Sequence, residues 1–141
     1  MRWADDGIFL AGRKFGETSS MVSVFTRQNG RHLGLVHGAV GRKLRPVLQV
    51  GNLVHCEWNA RSVQGLGSFR LEMLRPLASY VLEQPLELSG LASTCALIEL
   101  LLPERDSCTL LFDRTIDLLE SVVSGGDYMT KYVLWELELL R

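Results

Sequence analysis

Cysteine is scarce in this sequence. Cys56, Cys95 and Cys108 are widely spaced and form no Cys-x-x-Cys pair, which excludes a disulfide framework and a zinc knuckle and reads as reduced core thiols. Long apolar runs are missing as well: none approaches the roughly 18 residues of a membrane span, and Met1-Arg2-Trp3-Ala4-Asp5-Asp6 has no apolar stretch behind a basic one. A cytoplasmic protein with no membrane partner is the expectation. Catalytic signatures are also absent. Without a Gly-x-Ser-x-Gly elbow or a His-Glu-x-x-His pair, nucleophilic and zinc-hydrolase chemistry have no anchor. The stretch from Gly12 to Ser19 has the glycines and hydroxyls of a phosphate loop, but Lys14 does not directly precede Ser or Thr, and a strand follows. His32 and His37 are five apart, on opposite faces of a strand, which argues against joint metal ligation. No catalytic residue, metal or cofactor is expected.

What the chain has is a globular composition, 47% hydrophobic with 22% charged over 141 residues, the length of one domain or of two small ones sharing a core. The net charge of -1 conceals a division. Residues 1–78 carry eleven Lys and Arg against five Asp and Glu and hold all three histidines, a net of +6; residues 79–141 carry four against eleven, a net of -7. Two modules are expected with that boundary, the first suited to polyanions.

The first module reads as β-structure. Period-two alternation with frequent glycines places five antiparallel strands at 8–14, 21–27, 32–39, 50–61 and 66–75, with Gln28-Asn29-Gly30 as a hairpin turn. In the fourth, Val54, Cys56, Trp58 and Ala60 face inward; in the fifth, Phe69, Leu71 and Met73 do so. Five strands in about 70 residues fit a small closed barrel of the OB type followed by an α-helical segment. After Pro76 the apolar period lengthens. One helix opens at Pro85 and stops at Pro103; a second, capped by Asp106 or Ser107, ends at Gly125-Gly126; a third, capped by Asp127, runs on to Arg141. This third helix carries Val133, Leu137 and Leu140 on one face and Tyr128, Tyr132, Trp135 and Leu139 on another. Apolar surface on two sides predicts that further helical structure covers it and that the sequence is a piece of a longer chain.

The densest charge, Arg42, Lys43 and Arg45 within Gly41-Arg42-Lys43-Leu44-Arg45-Pro46, falls between the third and fourth strands. It is either a solvated connection or a landing place for phosphates. Arg13, Lys14, Phe15, Arg27, Arg31, His32 and Arg61 add cations and aromatics of the kind single strands need, with Phe15 and Phe25 as stacking candidates and Trp58 as core.

In order and spacing, Trp3-x-x-x-Gly7-Ile8-x-Leu10, Arg13-Lys14-x-Gly16-Glu17-x-Ser19, Thr26-x-x-x-Gly30 and Leu44-Arg45-Pro46-x-Leu48-Gln49-x-Gly51-x-Leu53-Val54 resemble the amino-terminal half of the bacterial RecO recombination mediator family. Pro85-Leu86, Pro103-Glu104-Arg105 and the Trp135 to Leu140 run resemble the start of its helical domain. The resemblance implies an OB-fold, a non-enzymatic role in RecF-pathway repair, binding and annealing of single- and double-stranded DNA, and partnership with RecR and the acidic tail of SSB in loading RecA. A receptor for such a tail needs an apolar pocket with a cation; Arg114 and Lys131 with Trp135, on either side of Gly125-Gly126, are the candidates. An RNA-binding OB module and a protein-interaction scaffold are the alternatives.

Overall fold

The computed structural model describes residues 1–62 and 65–140. Five strands, β1 (Arg2–Phe15), β2 (Ser19–Thr26), β3 (Gly30–Val36), β4 (Leu53–Asn59) and β5 (Ser68–Arg75), close into a ring in the order β1-β2-β3-β5-β4. Four helices follow: α1 (Leu77–Tyr80), α2 (Pro85–Leu101), α3 (Thr109–Ser124) and α4 (Tyr128–Leu139). The fold is thus the expected five-stranded OB-type ring with a helical segment behind it.

Closure depends on the length of β1. Residues 2–8 pair with β4, residues 7–15 pair with β2, and the register slips between Phe9 and Ala11. A bulge there lets one strand bend from one neighbour to the next. The strand expected from residue 8 begins at Arg2, although Ala4, Asp5 and Asp6 have poor strand propensity. Pairing with β4 overrides that preference, and the Asp5 carboxylate accepts from the Gln28 N–H and the Asn29 side chain, tying β1 to the β2–β3 turn. The ring's weakest seam is β3–β5, a single parallel bridge between Leu35 and Ser68 with the Leu35 N–H donating to the Gly67 carbonyl.

Ile8, Phe9 and Leu10 are buried in succession, which a half-exposed strand does not allow. Phe9 points into the ring with Val22, Val24, Val54, Trp58 and Phe69; Ile8, Leu10 and Phe25 point the other way, into a second cluster with Leu91, Ile98, Phe112 and Leu119 of the helices. At about 1.5–3 kcal/mol per buried side chain, this second cluster fastens the helices to the barrel wall. It runs without interruption across residue 78. Buried Asn52 adds a polar staple: its side-chain NH₂ donates to the Pro46 and Val47 carbonyls, and its oxygen accepts the Ala78 N–H.

Helix boundaries follow the prolines and glycines. Pro85 opens α2, and Gly125 closes α3 at φ +78° with the Gly126 N–H on the Ser121 carbonyl. The cap expected at Asp106 or Ser107 is not made: the position before α3 is Cys108, without a side-chain cap bond. The Asp106 backbone is committed elsewhere, pressed against Gly30 of the barrel. Asp127 does precede α4, though its side chain bonds Thr130 Oγ1 and caps no backbone N–H.

Candidate nucleic-acid interface

Alternation along β3 turns His32, Gly34 and Val36 inward and leaves Leu33 and Leu35 partly exposed on the outside. The register sets Leu33 opposite Ser23 and Leu35 opposite Met21, so the outer face of β2–β3 is an apolar floor. Two clefts lie along it. One, of about 320 Å³, has Arg13, Met21, Leu33 and Glu99 in its walls; the other, of about 510 Å³, has Leu35, Arg61 and Leu66. An apolar floor between the β1–β2 turn and the β4–β5 loop is the face on which OB-folds hold oligonucleotides.

The exposed candidate cations divide into three groups. Arg13, Lys14 and half-exposed Phe15 stand at the β1–β2 turn. That turn is bound to the segment after β3, the Ala39 N–H donating to the Thr18 carbonyl at 2.8 Å and Ser19 Oγ meeting His37 Nδ1 at 3.2 Å. The same segment continues into the charged loop, where Leu48 N–H to Leu44 carbonyl and Arg45 N–H to Gly41 carbonyl bonds form a helix-like turn. Leu44 and Val47 pack under it into the barrel core while Arg42, Lys43 and Arg45 stay exposed. The loop is therefore a plug with an apolar underside and a cationic outside. Arg61 stands apart, exposed in the β4–β5 loop.

The remaining candidates are engaged at the junction of barrel and helices. Arg27 pairs with Asp113 and lies over the Phe112 ring. Arg31 donates through Nε to the Leu102 carbonyl at 2.9 Å and through Nη1 to Glu99 at 3.2 Å. His32 is buried against Trp3 and Trp58, each ring centroid 4.9 Å away; burial, and then the nearby Arg105 charge, hold its pKa down to about 4. Phe25 is a correction: it is fully buried, edge-on to Phe112 at 5.3 Å, and has no face to offer a base. Its strand reads as half-exposed in sequence because the helices that cover it lie about 90 residues further along.

At the helical end, Arg114 pairs with Glu138 and Lys131 with Asp117 and Ser121, all between α3 and α4. Trp135 is buried between them, its indole N–H donating to Thr115 Oγ1 at 2.8 Å. Sequence reasoning missed the floor residues Met21, Leu33 and Leu35, and also Arg105. The only signal for the floor was that β3 carries apolar side chains in both registers. Among the described residues no three His, Cys, Asp or Glu side chains are placed to hold a metal ion, and no helix is long and apolar enough to cross a membrane.

Residues 1–77 match the family model described as Recombination protein O N terminal. The chain is 44% identical over 141 residues to the DNA repair protein RecO of Rhodospirillum centenum and 41% identical over 140 residues to that of Dinoroseobacter shibae. These alignments take in 100% and 99% of this chain but 56% and 58% of the relatives, so the chain spans a little over half their length.

Proposed function

The chain belongs to the RecO amino-terminal family, and from that premise we propose that it is a non-catalytic DNA-binding module of recombination repair, laying a strand across the β2–β3 face between the β1–β2 turn and the β4–β5 loop. The observation that carries this reading is the apolar floor of Met21, Leu33 and Leu35 with cationic loops at its ends. Arg13, Lys14, Arg42, Lys43, Arg45 and Arg61 neutralise phosphates and release counterions, and Phe15 stacks on a base. Arg27, Arg31 and His32 support the site from behind. Phosphate contacts of this kind position a strand without reading its sequence, which suits a protein that holds single- and double-stranded DNA and anneals complementary strands. Neutralising both backbones lowers their mutual repulsion, the step annealing needs. Assistance in loading RecA on SSB-coated DNA, with RecR as partner, completes the role.

The test is anisotropy of labelled oligonucleotides across a salt series. Reversing Arg42, Lys43 and Arg45 to Glu is expected to weaken every sequence alike and to flatten the slope of log affinity against log salt by about 0.7 per lost single-strand contact. An unchanged slope refutes the loop's assignment. RNA competing as well as DNA would favour the RNA-binding alternative, and binding without salt dependence the scaffold. For the SSB tail we propose a receptor at the α3–α4 seam that holds Arg114, Lys131 and Trp135, where an acidic peptide would compete with Glu138 and Asp117 for the two cations. A labelled tail peptide should bind Arg114→Glu and Lys131→Glu variants more weakly than the parent, and equal binding by all three refutes that placement.

A further inference from the structure

Arg105 is the one non-glycine among the described residues with a positive φ, +63°. Left-handed backbone at such a residue persists only where its surroundings enforce it, and it marks places where strain serves a purpose. Barrel residues supply its contacts to Arg31, Trp58 and Gly65. The Arg105 N–H donates to the Arg31 carbonyl at 2.7 Å, with Glu104 bridging to Arg31 in β-fashion. Its guanidinium lies 5.2 Å from the Trp58 ring centroid, and Nη2 donates to the Gly65 carbonyl at 2.8 Å. Trp58 is in turn the surface on which the β4–β5 loop rests: a side chain at Gly67 would come within 2.5 Å of the indole. The connection between α2 and α3 thus reaches across the end of the barrel and grips the loop that carries Arg61.

We propose that Arg105 is a positioning residue: it holds residues 65–67 of the β4–β5 loop in place beside the groove and so couples the helical segment to the barrel's grip on a nucleic-acid strand. The proposal rests on the groove reading given above. It is a matter of preorganisation, since a loop already fixed loses less freedom when a strand binds. Whatever moves α2 relative to α3 would displace residues 103–106 and release the loop, so a partner bound to the helices would tune DNA binding without touching DNA.

The experiment compares the 141-residue parent with Arg105→Gly, Arg105→Ala and Arg61→Glu, reading melting temperature, oligonucleotide affinity across salt, and amide exchange at Gly65, Leu66 and Gly67. Glycine removes the guanidinium and relieves the backbone, so Arg105→Gly should melt at or above Arg105→Ala. It should nonetheless bind DNA about five- to tenfold more weakly than the parent, an ordering cost of the size one immobilised segment carries, with faster exchange in the loop. Its salt slope should match the parent's. A slope reduced by about 0.7 would make Arg105 a direct phosphate contact and overturn the positioning role. Affinity within twofold of the parent's, while Arg61→Glu binds weakly, overturns the coupling alone. No effect from Arg61→Glu or from the charged-loop reversal overturns the groove reading and the proposal with it.

Discussion

Gly30→Ala isolates the contact that joins barrel and helices, because Gly16 supplies a control with the same backbone. The two glycines sit at φ +71° and +72°. A Cβ at Gly16 meets nothing within 4 Å, whereas at Gly30 it would lie 2.4 Å from the Asp106 carbonyl oxygen and 2.7 Å from its carbonyl carbon. These are backbone atoms, so no rotamer change relieves the clash. Left-handed strain costs both variants about 1–2 kcal/mol. At Gly30 the 103–106 connection must also retreat by at least about 0.6 Å to restore a tolerable contact. That retreat stretches the 2.7 Å bond from the Arg105 N–H to the Arg31 carbonyl, costing about 1 kcal/mol, with overpacking adding about 1–2 more. The expected losses are about 1–2 kcal/mol for Gly16→Ala and about 3–5 for Gly30→Ala. Urea denaturation followed by circular dichroism, with equal m-values, measures the difference. Equal midpoints for the two variants would refute the claim that the Asp106 backbone bears on the β2–β3 turn.

Three further outcomes are expected. Trp135→Phe deletes the indole donor to Thr115 Oγ1 and should cost about 1–2 kcal/mol in denaturation while leaving oligonucleotide affinity unchanged; a shift in affinity would place α4 nearer the groove. His32 titrates near 4 in the fold against 6.5, so as pH falls below 6.5 the unfolded chain takes up the proton first. Stability present above 6.5 is then lost on acidification, by up to about 1.4 kcal/mol per pH unit down to about pH 4. His55, raised by its hydrogen bond to Asp6, contributes in the opposite direction: stability present below 6.5 fades as pH rises through its raised value. Denaturation between pH 7 and 4 should show a shallower decline for His32→Gln, and an identical decline would mean that His32 is protonated in the fold. Thiol labelling of the native protein should modify Cys108 first, because Cys56 and Cys95 are fully buried and burial pushes their thiols up; early labelling of Cys56 would contradict the barrel packing.

Much of this protein is written locally. Inward Val54, Cys56 and Trp58 alternate with outward His55, Glu57 and Asn59, so that face could be read from period alone. Asn29-Gly30 sets the β2–β3 turn, Pro85 and Gly125 set helix ends, and the charge division at residue 78 marks the cationic part. In each case one residue's own preference, or the spacing of its neighbours, carries the information. Tertiary structure decided what depends on a partner far along the chain. Phe25 and Leu35 look alike in an alternating strand, yet one is sealed by α3 and the other floors the groove. Arg27 and Arg31 count as free cations in sequence, and became ties to Asp113 and Glu99 because α2 and α3 bring carboxylates to them. Periodicity reports that a side chain is apolar and on which face it lies; it cannot report whether another element covers that face. Arg105 is the extreme case, since a left-handed arginine leaves no trace in sequence, and its contacts to Arg31, Trp58 and Gly65 join segments far apart in the chain.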